Sequence, residues 1–152
     1  MLTAKDLASQ VTEWIDRDRD EIIAFLSDFL RAKSPNPPGD TRAASACVVD
    51  FLKRYNLPYR VVSAQEHLPN IVGTVEGQRP GRHLVLNGHM DVFPAIEDLP
   101  GERSQWSGEV TEGRIYGRGA ADMKCGTTAA LFAYRYAAQI KEQLAGRLTL
   151  TV

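Results

Sequence analysis

The sequence predicts an α/β fold with three layers, α/β/α, in which helices cover both faces of a largely parallel mixed sheet. The first reason is that helical periodicity and short β-rich runs alternate along the 152-residue chain, as they do in layered sheet folds. The second reason is the run Leu84–Leu86, which is apolar on both faces and typical of a central strand between two helical layers. We expect one domain, because a chain of this length is too short for two well-buried cores.

Two helical regions are predicted before the first strand. Residues 3–32 carry apolar side chains at steps of three and four, and the charged run at 16–21 interrupts this stripe, so the region can divide into two helices. Residues 34–39 contain three prolines and a glycine and predict a loop. A second helix is expected from about residue 41 to residue 55, with its apolar positions at helical spacing.

Beyond the second helix the pattern changes to β-rich runs between turn residues. A hairpin is predicted at 108–117, with Glu112 and Gly113 at its turn. An alanine-rich helix is predicted to follow from Met123 to about residue 141, and Gly146 can end it. The other predicted strands are 59–63, 70–75, 83–86 and 147–152.

The composition indicates a globular protein and argues against several classes of partner. Apolar residues make up 43% of the chain, charged residues make up 24%, and the net charge is −1, so no bulk charge attracts nucleic acid or an anionic membrane. No apolar run approaches the roughly 20 residues that span a bilayer. Charged residues also interrupt the first thirty positions, where a signal peptide needs an apolar stretch. We therefore expect a cytoplasmic protein.

The clearest candidates for chemistry follow the predicted strand at 83–86. His89 comes just after this strand, at the edge where open α/β sheets hold their ligands. Asp91 is two residues further on and points to the same side in extended chain, so its carboxylate can accept a hydrogen bond from the imidazole and orient the ring toward a metal. Asp122 lies at the mouth of the last helix. It can serve as a helix N-cap or as a carboxylate that bridges two metal ions.

Other interpretations of this region find little support in the residues present. Gly117 and Gly119 resemble the start of a dinucleotide-binding loop, but Asp122 stands in place of the third glycine and would repel a pyrophosphate. The chain also contains no G-x-S-x-G motif for a serine nucleophile. Cys125 has no second cysteine or histidine spaced for zinc. Lys124 is expected to be solvated at the surface or paired with a nearby acid.

Two motifs in register resemble a known enzyme family. The segments 87–94 and 113–124, with Trp106 between them, are similar to those of the di-zinc amidohydrolase and metallopeptidase family that includes aminoacylase, acetylornithine deacetylase, succinyl-diaminopimelate desuccinylase and glutamate carboxypeptidase. The preceding helices and the proline-rich loop also fit, so the resemblance covers nearly the whole chain. It implies a zinc-peptidase-like fold.

The resemblance also implies a role for each candidate residue. His89 would ligate one metal ion, and Asp122 would bridge two. Asp91 would be the catalytic acid behind His89, in contact with the His89 imidazole rather than with the metal ion. The peptide bond from Asp122 to Met123 is often cis in such proteins. Two divalent ions are expected, with zinc favoured, although cobalt and manganese suit the same ligands.

The implied activity is hydrolysis of an amide bond in an N-acyl amino acid or a small peptide. Family members continue beyond the equivalent of residue 152 with a glutamate general base, the remaining metal ligands and an inserted dimerisation domain. We therefore expect residues 1–152 to be the N-terminal portion of the catalytic metal-binding domain, inactive alone, in a protein that can form a homodimer through the inserted domain. Two alternatives stay open: a non-catalytic α/β module that binds a partner, and a related di-zinc aminopeptidase.

Overall fold

The computed structural model describes residues 3–96 and 100–152. Within these residues the helices and strands alternate along the chain as the periodicity predicts. The helices are α1 (Ala4–Arg17), α2 (Arg19–Arg31), α3 (Arg42–Arg54) and α4 (Lys124–Gln139). The strands are β1 (Arg60–Val62), β2 (Asn70–Glu76), β3 (Arg79–Asn87), β4 (Glu109–Thr111), β5 (Arg114–Tyr116) and β6 (Ala145–Thr151). Each predicted helix and strand is therefore confirmed, with bounds that shift by a few residues.

The main sheet is mixed and has the strand order β1-β2-β6-β3. Only the pairing of β3 with β6 is parallel, whereas β1 with β2 and β2 with β6 are antiparallel. The α/β class is confirmed, but these strands are not largely parallel. The connections explain the difference: α4 lies between β3 and β6 and allows a parallel return, while the short link between β1 and β2 permits only antiparallel pairing.

One face of the sheet packs on the helices. Ile71 and Val75 of β2 and Leu148 and Leu150 of β6 share a single core with residues of α2, α3 and α4. The opposite face carries polar residues such as Thr149, which bonds to neighbouring side chains of the same sheet. Among the described residues we find helices on one face only, so the second helical layer stays a prediction.

The strand before the candidate site lies at the edge of the described sheet. β3 pairs with β6 alone, and the Leu84 side chain is 59% exposed. The prediction that 84–86 forms a central, doubly covered strand is therefore wrong for these residues. An apolar run indicates that a strand favours burial, but the pattern does not specify which element covers it.

Residues 3–32 divide at Asp18, as the interrupted stripe allows. Asp18 is buried between α1 and α2, where its carboxylate lies 2.7 Å from Arg17 Nε and 3.1 Å from Arg135 Nη1. The Tyr136 hydroxyl donates a third contact at 3.1 Å. The hydrogen bond from Arg17, followed by that from Tyr136 and the charge of Arg135, holds the pKa of Asp18 below its usual 3.8 against the effect of burial. The break between the helices is thus fixed by a buried ion pair to α4.

Replacing Asp18 by asparagine is expected to lower the free energy of unfolding by about 2 kcal/mol or more at pH 7, because Arg135 loses a buried partner. The lowered pKa of Asp18 gives this contribution a sign: it is complete above pH 3.8 and is lost as the pH falls through the folded-state pKa. Urea unfolding at pH 7 and near pH 3 measures both effects. Asp28→Asn, at an exposed pair with Arg31, is the control and should change little. An equal effect of the two variants would contradict the prediction.

Gly146 does not end a helix. α4 ends at Gln139, a 3-10 turn covers Lys141–Gln143, and Gly146 lies inside β6 with φ +83°. A Cβ atom there would fall 1.9 Å from the Arg82 carbonyl oxygen of β3. Glycine is required because the two strand backbones approach closely where their register shifts.

The β4–β5 hairpin forms as predicted. Glu112 and Gly113 occupy its turn with φ of 51° and 72°, the two positive values that a type I′ turn requires.

No helix in the described ranges is both long enough and apolar enough to cross a bilayer.

Candidate metal centre

His89 lies just beyond the carboxyl end of β3, at the sheet edge that the sequence predicts. The Thr127 hydroxyl of α4 donates to the His89 carbonyl oxygen at 3.0 Å, so α4 holds this backbone in place. The imidazole is 44% exposed and can reach a ligand from solvent.

Asp91 contacts the imidazole of His89 through two of its oxygens. His89 Nδ1 lies 2.9 Å from the Asp91 carbonyl oxygen and 3.3 Å from Asp91 Oδ1. Because a carbonyl oxygen only accepts hydrogen bonds, this geometry assigns a ring proton to Nδ1. The sequence predicts the carboxylate contact, and the structure adds the closer backbone contact.

Asp122 meets the opposite side of the same ring. Its Oδ1 lies 3.3 Å from His89 Nε2, and its side chain is 90% exposed. α4 begins at Lys124 after Met123, and no side chain of the described residues caps it. Asp122 is therefore not the helix N-cap, which removes the competing interpretation. The Asp122–Met123 peptide bond is cis, as the resemblance implies.

The separation of His89 from Asp122 fits two ligands of one cation. Two donors placed about 2.1 Å from a tetrahedral ion are separated by about 3.4 Å, and the observed distance is 3.3 Å. A charge-assisted hydrogen bond would be shorter, at about 2.7–2.9 Å. The spacing of these two side chains therefore suits two ligands of a shared cation.

Small residues bring the Asp122 segment close to the strand that carries His89. Gly119 has φ +86°, and a Cβ atom there would lie 2.5 Å from Val92 Cγ1. Only glycine fits both the backbone conformation and the approach. The glycine thus lets the Asp122 segment pass close to Val92.

Lys124 differs from its prediction, because its side chain is completely buried. Its Nζ donates to the carbonyl oxygens of Phe29 and Ala32, each at 2.7 Å. Both acceptors lie at the C-terminal end of α2, where carbonyl groups lack helical partners. Burial lowers the pKa of Lys124 to about 8. Lys124 therefore joins the start of α4 to the end of α2 and does not pair with Asp122.

A cavity of about 530 Å³ adjoins the Asp122 carboxylate. Arg118 lines it and donates to Gln105 Oε1 at 2.7 Å, and Phe93 lies at its rim, largely exposed. This volume is within the range of small-molecule sites. A small molecule placed there would lie next to the two candidate ligands.

The proline-rich loop also reaches the site, which the sequence does not predict. The Asn36 amide donates to Asp91 Oδ2 at 2.9 Å, and the Ser34 hydroxyl donates to the Met90 carbonyl oxygen at 2.6 Å. No periodic pattern links this loop to residues more than fifty positions away. The only signal is that polar residues alternate with prolines there, and that signal is weak.

The described residues offer two candidate ligands but no complete set for a metal ion. Across 3–96 and 100–152, no cluster of three or more histidine, cysteine, aspartate or glutamate side chains has a geometry that can hold a metal ion. Cys125 is exposed, and its thiol donates to the Ala121 carbonyl oxygen. The imidazole of His89 and the carboxylate of Asp122 suit a divalent ion such as zinc in donor type and in spacing.

Comparison with known sequences adds a family to this geometry. Residues 85–152 match Peptidase family M20/M25/M40. These residues belong to the M20 family. The matched stretch contains His89, Asp91 and Asp122, so the resemblance stated from the two motifs is confirmed.

Named relatives of the M20 segment extend the likeness toward the N-terminus. A succinyl-diaminopimelate desuccinylase from Rhodopseudomonas palustris is 48% identical over 124 residues, which cover 74% of this chain and 29% of that protein. Aminoacylase-1 from Dictyostelium discoideum is 33% identical over 108 residues, covering 69% of this chain and 26% of that protein. The chain thus spans less than a third of either relative.

Solved structures share the fold. Human carnosine dipeptidase 1 superposes with a TM-score of 0.74 at 22% identity, covering 95% of this chain and 34% of that one. A dinuclear metal binding peptidase of the M20 family from Bacillus subtilis gives a TM-score of 0.61 at 13% identity, covering 90% and 35%. At these identities the comparison establishes only the α/β fold of M20 proteins. The chemistry of the site has to be inferred from the residues of this chain.

Proposed function

We propose that the polypeptide carrying this sequence is a metal-dependent hydrolase that cleaves the amide bond of an N-acyl amino acid or a small peptide. The observation that carries the proposal is the 3.3 Å separation between His89 Nε2 and Asp122 Oδ1, which fits two ligands of one divalent cation. Membership of residues 85–152 in the M20 peptidase family and the names of the desuccinylase and aminoacylase relatives support the reaction class.

Each residue has a distinct part in this proposal. His89 would hold one metal ion through Nε2, while Asp91 would accept the Nδ1 hydrogen and keep the ring in that tautomer. The carboxylate of Asp122 would help to hold both ions. Two divalent ions bound there, with zinc favoured, would polarise the scissile carbonyl and acidify a bound water. The cavity beside Asp122 would receive the substrate.

The rest of the centre would come from outside this sequence. A catalytic zinc takes about three protein ligands and a water, and the described part of this chain offers two candidates. We propose that residues 1–152 form the N-terminal portion of the catalytic domain, and that a glutamate general base and further ligands follow. The cytoplasmic location and the homodimer stay predictions.

The experiment compares two substrates that differ at one group. Purified complete polypeptide is incubated with an N-acetyl or N-succinyl amino acid and with a dipeptide of the same residue that has a free amino terminus. We expect hydrolysis of the acylated substrate, loss of activity with a chelator and recovery with zinc. Residues 1–152 alone should bind zinc weakly and show no turnover.

The other outcomes identify the alternatives. Preferential cleavage of the free-amine substrate would indicate the related di-zinc aminopeptidase. Bound zinc without turnover of either substrate would favour a non-catalytic module. Turnover at an ordinary enzymic rate by residues 1–152 alone would overturn the proposal that the general base lies elsewhere.

A further inference from the structure

We propose that Asn36 is a positioning residue that fixes the carboxylate of Asp91 behind the His89 imidazole and so raises the affinity of the site for its metal. This inference rests on the proposed function. It assigns a role to the proline-rich loop, which lies outside the residues matched to the M20 family.

The loop is attached to the metal-site segment through its backbone. Val92 N donates to the Ser34 carbonyl oxygen and Asn36 N donates to the Val92 carbonyl oxygen, each at 2.9 Å. The buried Ser34 hydroxyl adds a bond to the Met90 carbonyl oxygen. Three hydrogen bonds thus flank Asp91 on both sides and hold the Cα atom of Asn36 in a fixed place beside it.

The Asn36 side chain completes a relay to the imidazole. Its Nδ2 donates to Asp91 Oδ2 at 2.9 Å, while Asp91 Oδ1 faces His89 Nδ1 at 3.3 Å. Among the described residues, each carboxylate oxygen thus has one recorded contact, and rotation of the carboxylate would disturb both. Rotamer freedom is otherwise expected for an exposed aspartate, so a donor on the far oxygen preorganises the near one.

The chemistry of an amide suits this place. Gly39 ends the loop and lies close to the Asn36 side chain. A Cβ atom at Gly39 would lie 3.3 Å from Asn36 Oδ1. The amide oxygen is thus directed away from the carboxylate and the amide N–H toward it. A neutral donor orients Asp91 without the full positive charge of lysine or arginine, so the carboxylate keeps its ability to polarise the imidazole N–H.

The test is a double-mutant cycle on zinc affinity in the complete polypeptide, measured by competition with a chromophoric chelator. The variants are Asn36→Leu, which keeps the size and the neutral charge but removes the N–H donor, Asp91→Ala, and the two combined. We expect Asn36→Leu to weaken zinc binding by about 10-fold and to add nothing when Asp91 is already alanine. Gln78→Ala is the matched control, since it removes an exposed amide bonded to the Glu142 carboxylate at the opposite end of β3.

A second measurement needs no metal. The ring 15N shifts of His89, recorded in metal-free protein, should change in Asn36→Leu and stay constant in Gln78→Ala. Unchanged ring shifts, unchanged zinc affinity, or an equal loss of affinity with and without Asp91 would each overturn the role of Asn36. If the wild-type protein binds no zinc, the proposed function fails, and the ring shifts alone decide whether Asn36 positions the pair.

Discussion

Replacing Lys124 by methionine should lower the free energy of unfolding by about 2–4 kcal/mol at pH 10, because two carbonyl groups at the end of α2 lose the donor that Lys124 supplies. The loss should be smaller at pH 7. Burial lowers the pKa of Lys124 from 10.5 to about 8, so between these values the unfolded chain binds a proton that the folded protein has released. Wild-type stability therefore gains roughly 3 kcal/mol from Lys124 as the pH rises through this window.

Urea unfolding of both proteins at several values between pH 7 and pH 10.5 measures this effect. Burial chiefly raises the pKa values of Tyr134 and Tyr136 to about 12. The contribution of these tyrosines to the free energy of unfolding cancels when the variant is compared with the wild type. Lys53→Met, at an exposed lysine in the last turn of α3, is the control and should cost less than about 0.5 kcal/mol. A difference between wild type and Lys124→Met that shrinks as the pH rises would show that the buried ammonium is favoured and would refute this account.

Removal of either candidate ligand should abolish tight metal binding without unfolding the protein. In the complete polypeptide, His89→Ala and Asp122→Ala are each expected to weaken zinc binding by more than about 100-fold, which exceeds the usual effect of a residue behind a ligand. Asp91→Ala should have the smaller effect of about 10- to 100-fold. Both candidate ligands are substantially exposed, so their removal leaves no cavity in the core.

His83→Ala is the matched control for this series. His83 is an exposed histidine on β3 that bonds Thr149 at 2.8 Å, and its removal should leave zinc affinity unchanged. Circular dichroism and chelator competition provide the two readouts. Tight zinc binding retained by both His89→Ala and Asp122→Ala would disprove the centre, and an effect of Asp91→Ala larger than either would reverse the assigned roles.

The chain shows which kinds of inference a sequence supports. Local signals succeed where a short segment decides its own conformation, as at the hairpin turn of Glu112 and Gly113. The pairing of His89 with Asp122 was also predictable, because the glycine-containing motif of His89 follows a strand and that of Asp122 precedes a helix. The prediction that Gly146 ends a helix is wrong, since this glycine lies in a strand whose backbone closely approaches the neighbouring strand.

The buried groups show the limit of such inference. Lys124 follows an exposed acid and looks like a surface residue, but the end of α2 offers it two carbonyl acceptors ninety positions away. Asp18 lies in a charged run that interrupts the apolar stripe, and its burial depends on Arg135 and Tyr136 of α4. A charge can be buried only where partners compensate its desolvation, and those partners are distant in the chain.

The sequence by itself determined the α/β class, the order of helices and strands, and the residue types available to a metal. These are the imidazole of His89, the carboxylate of Asp91 behind it and the carboxylate of Asp122. These depend on periodicity and on neighbours within a few positions. Only the tertiary structure decided that β3 lies at the edge of the described sheet, that His89 and Asp122 face each other at ligand spacing, and that Asn36 holds Asp91. Such features depend on the relative placement of segments that do not interact along the chain, and packing and hydrogen bonding fix that placement only when the whole domain folds.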